Sequence, residues 1–176
     1  GAGNDMIKGG DGDDLIEGNT GNDKLYGDLG SDKIYGGEGN DEIFGGLNGD
    51  VLEGGNGDDL IEGGLGNDIL VDGAGNDTLD GGLDSDIIIL TKEKNVSTSV
   101  DTIKNFNKTE DKIILKVDYQ NPISFADIQN AMIQNGPDAE ISLNNGQKII
   151  IKNTDISDIT ASNFQIGLSG GENNDI

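Results

Sequence analysis

From Gly9 to Ile89 the chain consists of nine consecutive nine-residue units: GGDGDDLIE, GNTGNDKLY, GDLGSDKIY, GGEGNDEIF, GGLNGDVLE, GGNGDDLIE, GGLGNDILV, DGAGNDTLD and GGLDSDIII. Residues 1–8, GAGNDMIK, form a tenth unit entered at its second position. The sixth position is Asp in all ten units: Asp5, Asp14, Asp23, Asp32, Asp41, Asp50, Asp59, Asp68, Asp77 and Asp86. The eighth is always a large aliphatic, running Ile7, Ile16, Leu25, Ile34, Ile43, Leu52, Ile61, Leu70, Leu79 and Ile88. A unit this short cannot bury its apolar side chain alone, so the architecture is set by how successive units stack.

The residue types specify what one unit does. Its first six positions are rich in Gly, which supplies the positive φ and close backbone approach of a tight turn. Its last three place one apolar residue between two outward ones, a very short strand with a single buried side chain. Two units bring the chain back to its starting side. Stacked coils then form two parallel sheets with the aliphatics between them and a column of turns down each edge. With strands about 4.8 Å apart, five coils make a rod about 24 Å tall.

Charge follows the repeat. The 176 residues carry a formal charge of −23, and residues 1–89 account for −19 of it, with 22 carboxylates against 3 Lys. The chain has no His, no Cys and no Arg. Thiolate or imidazole metal sites, Cys or His catalysis and disulfides are therefore excluded. The lack of a basic footprint argues against nucleic acid or anionic membrane as partners, and no stretch approaches the ~20 apolar residues of a membrane span. Absence of Cys suits a cytosolic protein and a bacterial exoprotein equally.

An acidic column of this kind calls for cations. Carboxylates about 5 Å apart repel by about 1 kcal/mol in water and more where water is thinned. Carboxylates combined with backbone carbonyls are hard oxygen ligands and suit Ca²⁺ better than Mg²⁺. Asp residues two units apart meet on one edge. The first edge holds Asp5, Asp23, Asp41, Asp59 and Asp77, and the second holds Asp14, Asp32, Asp50, Asp68 and Asp86. Four gaps on each edge give about eight ions, whose +16 nearly balances the −19 of the array.

The unit GGxGxDxUx resembles the RTX nonapeptide, the hemolysin-type calcium-binding repeat of secreted bacterial toxins, proteases, lipases and adhesins. The resemblance spans residues 1–89. It implies an all-β fold: a right-handed parallel β-roll with two nine-residue units to each coil, here residues 1–90, followed by a β-rich capping subdomain with one short helix. It also implies a ligand set, in which one turn offers its second and fourth carbonyls with its Asp, and the turn two units on offers its first and third carbonyls with its own Asp. On the first edge this places Gly1, Gly3 and Asp5 with Gly18, Thr20 and Asp23; Asn19 and Gly21 then face Gly36 and Glu38. Further along, Gly37 and Gly39 face Gly54 and Asn56, and Gly55 and Gly57 face Asp72 and Ala74. On the second edge Gly10 and Gly12 face Gly27 and Leu29, and Asp28 and Gly30 face Gly45 and Leu47. Gly46 and Asn48 face Gly63 and Leu65, and Gly64 and Gly66 face Gly81 and Leu83.

Departures from the pattern cluster on the second edge, where Asn48 and Asp84 replace the fourth-position Gly. Asn and Asp tolerate positive φ best after Gly, so these turns are expected to survive, as are those at Asn19, Asp28 and Asp72. The second edge is expected to bind more weakly, above all between Asp68 and Asp86.

The last unit runs Ile87-Ile88-Ile89-Leu90, apolar on both faces, so something must cover that coil. Residues 91–169 supply candidates. Val100–Phe106 and Lys112–Val117 read as strands; Ser124-Phe125-Ala126-Asp127 is a capping box opening a helix through Ile128, Ala131 and Met132, closed by Gly136-Pro137. Ile141–Leu143 and Lys148–Ile151 flank the hairpin signal Asn144-Asn145-Gly146, and Phe164 and Ile166 suggest a last strand. The segment VDTIKNFNKTEDKIIL resembles the region that follows the repeats in many RTX proteins, where it caps the roll and promotes its folding. Residues 170–176, GGENNDI, read as the start of a further repeat block, and the chain as an excerpt of a longer protein.

No catalytic constellation is present, since Ser97, Ser99, Thr109 and Ser124 have no His to act as base. The expected function is a non-enzymatic, monomeric calcium-binding module of a toxin, adhesin or exoenzyme that folds outside the cell. The resemblance implies passage through type I secretion machinery to the medium or the bacterial cell surface. The alternative is an extracellular adhesion or polysaccharide-binding module, with Tyr26 and Phe44 as outward aromatics on one face and Tyr35 on the other.

Overall fold

The computed structural model describes residues 1–91, 98–118, 123–143 and 146–169. The repeats form strands β1 (Met6–Asp11), β2 (Leu15–Thr20), β3 (Lys24–Leu29), β4 (Lys33–Glu38), β5 (Glu42–Leu47), β6 (Val51–Asn56), β7 (Leu60–Leu65), β8 (Ile69–Ala74), β9 (Thr78–Leu83) and β10 (Ile87–Leu90). The strands before β10 have six residues, twice the expected length. They continue through the first three positions of the next unit, because those glycine-rich positions still satisfy their backbone groups against the neighbouring coil. Only positions four to six turn.

Strands alternate between two sheets, odd-numbered in one and even-numbered in the other, and each pairs in parallel with the strand two units away, as in Leu25 with Ile43 and Ile34 with Leu52. The result is a parallel β-solenoid with about 18 residues per coil. The eighth-position aliphatics from Leu25 to Ile88 are fully buried between the sheets, Ile16 nearly so, and Ile7 is half-buried at the open end. Side chains alternate about the strand, so one residue in each unit builds the whole core.

The sheets do not stop with the repeats. β11 (Val100–Lys104) adds to β9, and β12 (Lys112–Asp118) adds to β10, both in parallel. Ile103 pairs with Leu79 and Ile113 with Ile88, so the buried column continues in register. β16 (Phe164–Ser169) then extends the even sheet, and β15 (Lys148–Ile151), β14 (Asp138–Ser142) and β13 (Met132–Asn135) extend the odd one, the last two antiparallel. The apolar end of the array is covered by strands of the same two sheets.

Helix α1 (Phe125–Ala131) starts at the expected capping box: Asp127 N–H donates to Ser124 Oγ at 3.2 Å, and Ser124 N–H to Asp127 Oδ2 at 2.7 Å. It buries Ile128. The helix ends at Ala131, short of the expected Gly136-Pro137, because Met132 turns extended and pairs with Ile141. The helical spacing of Ile128, Ala131 and Met132 gives way there to sheet pairing, and Gly136, at φ +63°, serves a hairpin turn. The hairpin joining β14 to β15 is present, with Leu143 N–H donating to Gln147 O at 2.9 Å. Asn144-Asn145 and the expected repeat start at 170–176 lie outside the described residues, as does most of the polar linker, 92–97.

Candidate metal centre

The sixth-position aspartates form two ladders. In each rung the backbone N–H of one Asp donates to Oδ1 of the Asp in the next coil. On the first edge the distances are 2.7 Å for Asp5 to Asp23, 2.7 Å for Asp23 to Asp41, 2.8 Å for Asp41 to Asp59 and 2.8 Å for Asp59 to Asp77. On the second they are 2.8 Å for Asp14 to Asp32, 2.8 Å for Asp32 to Asp50, 2.8 Å for Asp50 to Asp68 and 3.0 Å for Asp68 to Asp86. From Asp23 to Asp86 one oxygen of each carboxylate is thereby fixed. Oδ2 of Asp14, Asp23, Asp32, Asp41, Asp50, Asp59, Asp68 and Asp86 is buried with no hydrogen-bond donor among the described residues. Most of these side chains are 1–3 % exposed. Orphaned buried anionic oxygens are costly unless a cation meets them.

Each orphan oxygen lies in a cradle that only glycine leaves open. A Cβ on first-position Gly36 would stand 2.4 Å from Asp41 Oδ2 and 2.4 Å from the Gly54 carbonyl oxygen. The same holds at Gly18 against Asp23 and Gly36, at Gly45 against Asp50 and Gly63, and at Gly63 against Asp68 and Gly81. First-position carbonyls and the orphan carboxylate oxygens are therefore brought together.

The other expected ligands fall nearby with different partners. The third-position carbonyls of Thr20, Leu29, Glu38, Leu47, Asn56 and Ala74 accept an N–H from the preceding coil, for example Thr20 O from Gly3 at 2.8 Å and Glu38 O from Gly21 at 2.8 Å, which leaves each of them a second lone pair. Second- and fourth-position carbonyls face the same position one coil on, where a Cβ on Gly37 would stand 2.2 Å from Asn19 O and one on Gly39 2.1 Å from Gly21 O. Asn19, Asp28, Asn48 and Asp84 adopt φ of +79°, +72°, +76° and +78°, as their residue types allow. Asp72 does not belong with them. It stands at the first position, where φ is not positive, and its side chain fills the cradle: the carboxylate accepts from Thr91 N–H at 2.8 Å and from Gly73 N–H at 2.6 Å.

Loss of hydration is the first cause of raised carboxyl pKa values along both ladders, opposed by the N–H of the preceding coil. Asp50 and Asp86 are pushed up to about 6, and Asp59 and Asp68 up to about 7. Burial raises Asp41 and Asp111 as well, and holds Asp72 well above the usual carboxylate range. Without a counter-ion the folded array strains against its own ionisation.

Two rungs come from outside the repeats. Asp77 N–H donates to Asp101 Oδ1 at 3.3 Å, and Asp86 N–H to Asp111 Oδ1 at 3.1 Å. Sequence reasoning missed both, although Asp101-Thr102-Ile103 and Asp111-Lys112-Ile113 repeat the spacing of the sixth and eighth positions. Carboxylate oxygens of Asp72, Asp77 and Asp101, all buried, lie within 4.8 Å of one another. Position five was also missed. Its Asn and Asp side chains accept N–H groups from the following coil, as in Asn22 N–H to Asn4 Oδ1 at 2.9 Å and Asn40 N–H to Asn22 Oδ1 at 3.1 Å.

The repeat region matches the model of the RTX calcium-binding nonapeptide repeat (4 copies) over residues 1–34, 17–52 and 53–88. The chain belongs to that family. RTX repeats bind calcium, and the buried Asp ladders are the feature of this chain suited to it. No curated protein matches the chain at a significant level. Among solved structures it is similar to the AlgE6R3 subunit of the Azotobacter vinelandii mannuronan C5-epimerase, with 21% identity, TM-score 0.51, and coverage of 94% of this chain and 92% of that one. A second similar structure is the extracellular lipase LipA from Serratia marcescens, at 19% identity and TM-score 0.34, covering 92% of this chain and 38% of that one. At this identity the epimerase subunit supports the β-solenoid fold alone. The RTX module is a structural calcium-binding domain of a kind found in secreted proteins.

Proposed function

We propose that the chain is a calcium-triggered folding module of a larger secreted toxin, adhesin or exoenzyme, exported unfolded through type I secretion machinery and closed outside the cell. The observation that carries this reading is the row of buried Asp Oδ2 atoms with no donor among the described residues, set within the repeats beside a first-position carbonyl in cradles that a Cβ would fill, as Asp41 Oδ2 is beside the Gly54 carbonyl. Calcium supplies positive charge between coils whose carboxylates otherwise repel. Everything else is done by the chain: from Asp23 onward Oδ1 ties each coil to the preceding one, while the buried Oδ2 atoms named above are held in place without further reorganisation. About eight ions, one for each gap between consecutive repeat Asp residues, would be held with the carbonyls named above.

Where free calcium is scarce, as in a bacterial cytosol, sites with dissociation constants of ~10⁻⁴–10⁻³ M stay empty, and the acidic array remains threadable. Outside, calcium at ten times such a constant adds about 1.4 kcal/mol per site, and eight sites acting independently would add about 11 kcal/mol. Residues 91–169 then serve as the cap, continuing both sheets past the apolar last coil. Far-UV circular dichroism tests the reading: coil in chelator, β-structure in millimolar calcium, and no rescue by magnesium. Full β-structure in chelator at neutral pH would overturn it. An adhesive role for the outward rings has weaker support, because Tyr26 and Phe44 stack on each other, centroids 5.0 Å apart, with Lys8 4.7 Å over Tyr26.

A further inference from the structure

The second-edge ladder ends on Asp111, a carboxylate from outside the repeats. Asp111 Oδ1 accepts the Asp86 N–H at 3.1 Å, as the repeat residues from Asp23 to Asp86 accept from the coil before them. Its Oδ2 accepts the Asn107 N–H at 2.7 Å, which holds the carboxylate in place and leaves each oxygen a further lone pair. Asp86 is different. Its Oδ1 takes the Asp68 N–H at 3.0 Å, but its Oδ2 is buried without a donor among the described residues, and the side chain is 1% exposed. That oxygen stands in the cradle at Gly81, where a Cβ would come within 2.2 Å of it. The orphan oxygen and the next-coil carboxylate recur here as at the rungs within the repeats, while the Gly81 cradle meets Asp86 atoms alone where theirs also meet a next-coil carbonyl, so Asp111 stands in that carbonyl's place.

The surroundings are acidic. Asp80 keeps Oδ1 buried without a donor among the described residues, while its Oδ2 accepts from Asn105 Nδ2 at 2.7 Å. Burial first, and then the charges of Asp111, Asp84 and Asp80, raise the Asp86 pKa. On the first edge the corresponding cradle is filled by the Asp72 carboxylate, and Gln147 Nε2 donates to Asp101 Oδ2 at 3.0 Å. That end is built differently, with the chain's own groups occupying the space.

We propose that a calcium site lies between Asp86 and Asp111, joining the last repeat to the first strand pair beyond the array. It rests on the calcium reading of the repeats and adds to it a ligand, Asp111, that no repeat contains. The site makes closure of the cap on the even sheet calcium-dependent, since Asp111 immediately precedes β12.

Crystals of the wild-type chain grown in calcium, with diffraction measured for the anomalous signal of calcium, test this directly. The expected result is a peak at the Gly81 cradle in contact with Asp86 Oδ2, in addition to peaks in the repeat cradles. Peaks in the repeat cradles with none here would overturn the site and leave the repeat reading intact; no peak in any cradle would overturn both. In solution, equilibrium dialysis at saturating calcium should find one ion fewer per chain in Asp111→Asn and in Gly81→Ala than in wild type. The second variant keeps Asp111 and Asn107, so a folding defect specific to the first does not decide the outcome. An unchanged ion count in either folded variant would sink the proposal.

Discussion

The two turn columns carry the same Asp ladder on unequal supports. On the first edge, position five is Asn4, Asn22, Asn40, Asp58 and Asn76, and their side chains form an unbroken second ladder with rungs of 2.8–3.1 Å, ending at Val100 N–H. On the second edge the same position reads Asp13, Ser31, Gly49, Asn67 and Ser85. Among the described residues only Asp13 to Ser31 and Asn67 to Ser85 make the rung, because Ser31 and Gly49 offer no amide or carboxylate oxygen to the next coil. The second edge also holds Asn48 and Asp84 at positive φ, and its Gly30 N–H reaches Leu47 O at 3.3 Å where Gly3, Gly21, Gly39 and Gly57 on the first edge make their bonds at 2.7–2.8 Å. Ligand chemistry is thus common to both columns, while preorganisation favours the first.

The largest effect should come from closing a cradle. Gly36→Ala puts a Cβ against Asp41 Oδ2 and Gly54 O on the first edge and should cost about 3–5 kcal/mol in calcium by loss of a site plus overpacking. Gly45→Ala on the second edge, with Gly63 O at 2.7 Å, should cost less in calcium-saturated thermal unfolding. Equal losses would erase the proposed difference between columns. Neutralising one ligand comes next. Asp59→Asn should raise the calcium concentration needed for half-folding several-fold, and Asp50→Asn by a smaller factor, both read from circular dichroism titrations.

The third prediction removes calcium. A carboxyl whose pKa is raised in the folded state favours folding while protonated. That contribution is full below the unfolded value near 3.8 and is lost as pH climbs through about 6 to 7, the range of Asp50, Asp86, Asp59 and Asp68. In chelator, β-structure should therefore be greater at pH 4 than at pH 8, and Asp59→Asn and Asp50→Asn should both stabilise the fold at pH 8. The raised groups lie on both edges, so the column difference should vanish under these conditions. Calcium should reverse the pH trend, since its ligands must be ionised. The smallest effect is a repair: Ser31→Asn supplies an acceptor for the Gly49 N–H and should add about 0.5–1 kcal/mol to the calcium-loaded roll.

Much of this is legible in the residues because one period sets everything from Gly1 to Ile89. Asp at position six and an aliphatic at position eight fix coil length, core and edge together, and the sheet pairing follows at two units. What stays hidden has physical causes. The strands outrun their sequence expectation because glycine signals more than a turn: Gly36 and Gly54 are strand residues whose missing Cβ makes room for an oxygen. Asp72 differs from the positive-φ replacements because its conformation depends on its place in the unit, which residue type does not reveal. Asp101 and Asp111 escape the repeat pattern because the run of glycines stops before Ile89, while the spacing from Asp to buried Ile continues without them. The helix stops early because a three-four apolar rhythm cannot anticipate a sheet edge waiting for Met132.

Alternation of strands between the sheets makes parity a property of the array. Each nine-residue unit changes which sheet the chain is in, and β11 and β12 meet the odd and even sheets because an even number of units separates them from β1 and β2. Excising two units, such as 36–53, leaves every later strand on its own sheet and delivers the cap to matching partners. Excising one, such as 36–44, would send Asp101 to the edge now served by Asp111 and present the cap to the wrong sheet. Coils can be gained or lost without penalty to the cap only in pairs of repeats, so the natural unit of insertion and deletion in this molecule is twice the unit visible in its sequence.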